Sequence, residues 1–364
     1  MNAPRPRPAI LRIAPYRQGK SSLEGFAQPI KLSSNESPLG PSPKAIEAYR
    51  ALSDTLFRYP EGNQRELRNA IAKVFSLDTN KIVCGNGSDE LIQLLIRAYV
   101  EPGDDVIASE FSFAMCTTHA LAQGANVVVA PEQPAMRVDV DAILARLTAR
   151  TRLVTIATPN NPCGTYLPRA ELERLHAALP GDVLLLVDDA YGDYVTATDY
   201  GSGFDLVERA DNVVVTRTFS KLYGLAGLRI GWIYAPPGVV DALQRIRTPF
   251  NANAAALAAA TEAVLDIAHA AKVREHNTRW LDVFTSELSD MGLAVVPSVA
   301  NFVLVRFPAA PYDAAAADAY LKAHGIIARP VAAGGPDNHL RITIGLDHEN
   351  RAVLSTLREF VRRA

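Results

Sequence analysis

Hydrophobic residues in the middle of the chain come in short, nearly unbroken runs: Val106–Ala108, Val127–Val129, Leu153–Ile156, Val183–Val187, Val213–Val215 and Ile230–Ile233. Several are β-branched and lack polar alternation, as in strands covered on both faces. Between most of them the period becomes helical: Ile143, Leu144 and Leu147 share a face in Asp141–Thr148, and Leu172 and Leu175 share one in Arg169–Leu179. This alternation predicts an α/β layer with a mostly parallel sheet flanked by helices. From about Asn251 the pattern shifts. A long helical stretch covers Ala254–Ile267 and Val273–Met291. Strand candidates follow at Asn301–Phe307, Ile326–Pro330 and Leu340–Ile344, then an amphipathic helix from about His348. The expectation is an irregular, proline-rich arm over residues 1–40, a large domain over 41–250 and a smaller α+β domain over 251–364.

Composition narrows the function classes. The 364 residues suffice for two or three domains at about 100–200 residues each. Lys+Arg 37 against Asp+Glu 39 leave a net charge of −2, which offers no electrostatic reason to bind nucleic acid or an anionic membrane. No apolar run approaches the ~18 residues of a membrane span, and Met1–Pro8 lacks the apolar core of a secretory signal. Cys84, Cys116 and Cys163 are scattered. They fit neither a disulfide framework nor a metal site, and the expected location is the reducing cytoplasm.

Some motifs carry nothing. Gly19-Lys20-Ser21 ends like a P-loop, but Ala14 stands where that motif needs glycine. The histidines form no HExxH, so no metal is expected. Ser220-Lys221 as an adjacent pair is weak support for a Ser–Lys hydrolase.

Five segments at strand ends are more informative. Lys221 follows the Val213–Thr216 run, at the strand end where α/β sheets bind ligands. A neutral amine there can condense with an aldehyde; the plain alternative is a surface lysine. Arg229 suits bidentate phosphate binding or a structural salt bridge. Asp188 leaves an apolar strand and needs a partner. A protonated ring nitrogen serves, as does a helix-capping role, and Tyr191 adds a hydroxyl nearby. Asn161, in the turn Thr158–Gly164, can donate to a phenolate oxygen or simply serve the turn. Gly85–Glu90 opens a helical pattern whose free N–H groups make a phosphate seat. Jointly the five offer partners for the phosphate, pyridine nitrogen, phenolic oxygen and aldehyde of pyridoxal 5′-phosphate.

With these segments the sequence resembles the fold-type I, pyridoxal-phosphate-dependent aminotransferases over nearly its whole length. The resemblance rests on Leu32–Pro43, Arg58–Gly62, Gly87–Glu90, Asn161-Pro162, Asp188–Tyr191, Ser220-Lys221 and Leu340–Gly345, and is nearest to the histidinol-phosphate branch. It implies Lys221 as the Schiff-base lysine, Asp188 as partner of the pyridine nitrogen, and Tyr191 and Asn161 at the phenolic oxygen. Gly87, Ser88, Asp89, Thr218, Ser220 and Arg229 match the phosphate seat, and Phe113 matches an aromatic ring stacked on the cofactor. Tyr59 matches a tyrosine that reaches a neighbouring subunit's cofactor phosphate, so a homodimer is implied. Arg341 matches the arginine for the substrate's acidic group, and Tyr16, Asn35 and Arg329 match positions near the substrate. There are departures. Phe113 replaces the usual tyrosine, Cys163 the usual threonine and Asp189 the usual glutamate, while the loop Ala332–Pro336 lacks a tyrosine that relatives often carry.

The implied activity is ping-pong amino transfer between histidinol phosphate and 2-oxoglutarate. The rival readings are an aromatic amino-acid aminotransferase, a phosphoamino-acid decarboxylase and a non-catalytic cofactor-binding regulator. No basic or helix-turn-helix segment is spare for the last of these.

Overall fold

The structure, a computed structural model, describes residues 3–16, 18–331 and 335–363. Its strands in chain order are β1 (Ile30–Lys31), β2 (Ile82–Gly85), β3 (Asp105–Ser109), β4 (Asn126–Ala130), β5 (Thr151–Ala157), β6 (Leu184–Asp188) and β7 (Val213–Thr218). They continue with β8 (Gly231–Tyr234), β9 (Ala294–Val296), β10 (Phe302–Arg306), β11 (Ile326–Ile327), β12 (Arg329–Pro330) and β13 (His339–Thr343).

Seven strands form the main sheet in the order β2-β8-β7-β6-β5-β3-β4. β4, β3, β5, β6 and β7 run parallel, and β8 runs antiparallel to both β7 and β2. β5, β6 and β7 are buried along almost their whole length, which is why their sequences are unbroken apolar runs. On one face the helix Ser88–Tyr99 packs Leu91, Ile92, Leu94 and Leu95 inward. On the other the alanine-rich helix Ala254–Leu265 lies against the helices Pro43–Arg50 and Arg65–Phe75, its alanines allowing close approach. Each buried Val, Leu or Ile side chain contributes about 1.5–3 kcal/mol.

A second core forms where the sheet β12-β13-β10-β9 packs on the helices Ile267–Asp290 and Asp347–Val361 through Trp280, Phe284, Leu288, Leu354, Leu357 and Phe360. The arm is not loose. β1 pairs in parallel with β11, and Asn35 N–H donates to Thr343 Oγ1 at 3.0 Å.

Several expectations change in detail. β4 is an edge strand with Val129 half exposed, so its apolar run does not mean cover on both faces. Ile326–Pro330 splits into β11 and β12, which belong to different sheets. The helix expected over Asp141–Thr148 spans only Val140–Leu144. The long helical stretch breaks at Asp266, whose Oδ1 accepts from His269 N–H and caps a new helix. Among the described residues no single helix is long and apolar enough to cross a membrane.

Candidate active site

The C-terminal ends of the parallel strands converge on one pocket. Asp188 closes β6, and Thr216 Oγ1 on neighbouring β7 donates to its Oδ1 at 3.1 Å. Burial pushes this carboxyl up to about 6, with Asp89 adding to the rise and Thr216 and Lys221 opposing it. Lys221 follows β7. Its Nζ donates to the Ser34 carbonyl at 3.3 Å and stands 5.7 Å from the Tyr191 ring centroid. Burial, and then Arg341, push its amine down to about 8. The Tyr191 hydroxyl accepts from Asn35 Nδ2 at 2.8 Å, and burial pushes it up to about 12. Asn35 adopts φ 55°, which asparagine tolerates. Thr343 Oγ1 donates to its Oδ1 at 3.1 Å and Asn301 Nδ2 to its carbonyl at 3.0 Å.

The loop before the helix Ser88–Tyr99 meets Arg229. No side chain caps this helix start, so its first N–H groups are left for a ligand. Gly87 has φ 83°, and a Cβ there would lie 2.8 Å from an Arg229 terminal nitrogen, so glycine alone lets the guanidinium settle on the loop. Arg229 itself sits at φ 55°, a conformation costing about 1–2 kcal/mol for a side-chain-bearing residue. Its Nη1 donates to the Ala226 carbonyl at 3.1 Å and to Ser220 Oγ at 3.4 Å, and Ser220 N–H donates to Thr218 Oγ1 at 3.1 Å. The Asp89 side chain turns instead to His119, 3.1 Å away, so only its backbone N–H is left at the helix start.

On the opposite wall Arg329 and Arg341 are register partners across β12 and β13. Arg341 donates to Asn161 Oδ1 at 2.5 Å and to the Ser33 carbonyl at 2.8 Å, and its guanidinium lies 5.3 Å from the Phe302 ring centroid. Its Nε is buried without a partner. Because Arg341 occupies Asn161 Oδ1, the amide nitrogen is the atom of Asn161 that can serve a ligand. Phe113 precedes the helix Ala114–Gln123 and lines a small cavity with Cys116, Thr155, Ala157 and Asp188. Tyr16 is mostly exposed near Arg341 and Tyr191. Tyr59 stands apart: it is 82% exposed and stacks on Phe250 at 4.6 Å, with no hydrogen bond to the pocket residues.

The donor set fits pyridoxal 5′-phosphate. A half-buried carboxylate with a single hydrogen bond suits a protonated ring nitrogen, and an uncapped helix start facing an arginine suits a phosphate. The structure adds Thr216 and Thr343, which hold Asp188 and Asn35. In β7, Thr216 and Thr218 share a face by the two-residue period, a signal present in the sequence.

The match to known proteins agrees with this geometry. Residues 27–356 fit the family model described as aminotransferase class I and II. The chain belongs to that family. This aminotransferase is 51% identical to the histidinol-phosphate aminotransferase of Paramagnetospirillum magneticum and 48% identical to that of Rhodopseudomonas palustris, each over 99% of both chains. Its fold is similar to that of the histidinol-phosphate aminotransferase of Sinorhizobium meliloti in complex with pyridoxal-5′-phosphate. There the TM-score is 0.91 and the identity 28%, covering 100% of this chain and 99% of the other.

The departures from the family pattern have local accounts. Asp189 is buried against Arg217, whose Nη2 lies 2.6 Å from its Oδ2, while Arg217 Nη1 lies 2.6 Å from Asp193 Oδ1. Tyr200 OH donates to Asp189 Oδ1 at 2.5 Å. Cys163 is buried beside Val296 and Leu304. Of the loop Ala332–Pro336, residues 332–334 lie outside the described residues.

Proposed function

We propose that this aminotransferase exchanges an amino group between histidinol phosphate and 2-oxoglutarate with pyridoxal 5′-phosphate as cofactor. The observation that carries the substrate is the arginine pair across β12 and β13, with a buried, unpartnered Nε on Arg341. A planar guanidinium suits phosphate and carboxylate alike, so one seat can serve both half-reactions. A dianionic phosphate gains more from a second arginine than a single carboxylate does. The relatives of about half identity support the same substrate.

When bound, the cofactor supplies an aldehyde that condenses with amines and a ring that takes up the electron pair of a broken C–H bond. Asp188 would hold the ring nitrogen protonated. Gly87, Ser88, Asp89, Thr218, Ser220 and Arg229 would hold the phosphate, Asn161 and Tyr191 the phenolic oxygen, and Phe113 would cover the ring. Lys221, its amine already pushed down to about 8, would take the proton from the substrate Cα as base and, once protonated, would serve as the acid that returns it. Tyr16 and Asn35 line the substrate side. The exposed Leu56, Phe57 and Tyr59 support a homodimer in which Tyr59 reaches the partner's cofactor phosphate.

Kinetics of two variants test the reading. Truncating a charge-assisted contact in a desolvated site costs about 2–5 kcal/mol. Arg341→Ala is expected to lower kcat/KM on that scale for both histidinol phosphate and phenylalanine. Arg329→Ala is expected to penalise histidinol phosphate more. Equal losses in Arg329→Ala, or a wild-type enzyme preferring phenylalanine, would favour an aromatic amino-acid aminotransferase.

A further inference from the structure

Beneath the pocket, one half-buried carboxylate ties three strand ends together. Glu132 lies just beyond β4. Its Oε1 accepts from Ser109 Oγ at 2.5 Å, from Asn160 Nδ2 at 3.1 Å and from Phe111 N–H at 3.3 Å. Asn160 Nδ2 also donates to the Phe111 carbonyl. Ser109 ends β3, Phe111 belongs to the loop that carries Phe113, and Asn160 precedes Asn161 in the loop after β5. The tie is costly. Glu132 Oε2 is buried without a partner, as is Asn160 Oδ1, and burial pushes the carboxyl up to about 7, with Glu110 adding to the rise. Phe111 and Cys163 join these loops to an apolar cluster with Val296 and Leu304, yet a hydrophobic residue at position 132 would leave Ser109 Oγ and the Phe111 N–H without the acceptor they have now. One carboxylate oxygen that accepts from the end of β3, from the Phe113 loop and from the Asn161 loop sets the spacing of all three.

We propose that Glu132 is a positioning residue: it fixes the spacing of the Phe113 and Asn161 loops, and through them the seating of the cofactor ring, without touching the ring. This rests on the cofactor reading given above. Misplacement of groups by about 1 Å is enough to cost ~10²-fold in rate, so a joint two residues from Phe113 and one from Asn161 has leverage.

The test compares Glu132→Ala, Glu132→Gln and Ser109→Ala as cofactor-free proteins titrated with pyridoxal 5′-phosphate. Binding is followed by absorbance and by the circular dichroism induced in the bound ring, and melting of each cofactor-free protein is recorded alongside. Glu132→Ala is expected to weaken cofactor binding about tenfold and to diminish the induced dichroism. Glu132→Gln, which keeps an acceptor at Oε1, should recover affinity to within about threefold of wild type, with Ser109→Ala between the two. If the variants bind and orient the cofactor as wild type does and only their melting temperature falls, Glu132 is a structural residue and the proposal fails. Should Glu132→Ala not fold, Ser109→Ala decides in the same way: a weakened, less dichroic complex supports the proposal and an unchanged one overturns it. A wild-type chain that takes up no cofactor would instead overturn the reading of the site, and this proposal with it.

Discussion

In the cofactor-free protein Lys221 keeps an amine where a charge is poorly solvated. Its ordinary value of 10.5 falls to about 8, chiefly through burial. Between those values the unfolded chain holds a proton that the folded chain has lost, so stability rises with pH across the window. Below about 8 the folded chain bears the full cost of a buried cation. Lys221→Met is therefore expected to stabilise the cofactor-free protein at pH 7 by on the order of 1–3 kcal/mol, a gain that fades towards pH 10. Urea unfolding at the two pH values measures it. The same variant should lose amino transfer by at least ~10²–10⁴-fold. The cofactor adduct fixed by borohydride in wild type should map to the peptide holding Lys221, and an adduct on another lysine would remove Lys221 from its role. Residues such as Lys221, Asp188 and Asn161 were legible because the apolar runs marked strand ends and polar residues stand just past them. Glu132 and Thr343 were not. Their partners lie on other strands or hundreds of residues away, and a threonine in a strand is an ordinary strand former.

Among the elements, β8 backs the loop and helix start proposed to seat the phosphate. Gly231 pairs with Gly85 on one side and Thr218 on the other. A Cβ at Gly231 would lie 2.4 Å from Ser88 N and 2.8 Å from the Arg217 carbonyl. Gly231→Ala must displace the start of the helix Ser88–Tyr99, and should cost about 1–3 kcal/mol while weakening cofactor binding. Gly238→Ala is the control. Gly238 sits in the helix Pro237–Ile246 with nothing within 4 Å of its Cβ position, so the change should be neutral or stabilising by about 0.5–1 kcal/mol. Calorimetry and cofactor titration separate the two.

The neighbouring strand offers another test. Arg217 lies over the rings of both Phe75 and Phe204, 5.1 and 5.0 Å from their centroids, and neutralises Asp189 and Asp193. Arg217→Met leaves both carboxylates unpaired in a buried site and should destabilise by about 3–5 kcal/mol in chemical unfolding. At the level of elements the apolar runs marked β3 to β8 in the main sheet and β10 and β13 in the second. β1, β2, β9 and the split of β11 from β12 escaped, because these short segments acquire strand geometry from the neighbours they pair with.

For the whole molecule, the surface around Leu56, Phe57 and Tyr59 is the feature a lone chain explains least, since these side chains are 72–82% exposed. A homodimer covering them predicts a dimer mass by light scattering. Tyr59→Phe should weaken cofactor retention several-fold with the dimer intact, and a fully active monomer would refute the arrangement. The other long-range feature is the arm. Asn35 and Ser34, which face Tyr191 and Lys221, are held by hydrogen bonds to Thr343 and by the pairing of β1 with β11, across 308 residues in the case of Asn35 and Thr343. On the ribosome this separation becomes a delay. At about 5–20 residues per second, roughly 15–60 s pass between synthesis of the arm and emergence of its seat. The seven-stranded sheet can close in that interval, so the arm waits unanchored beside a folded sheet, and the last wall of the pocket to be built is made from residues translated before any strand of that sheet.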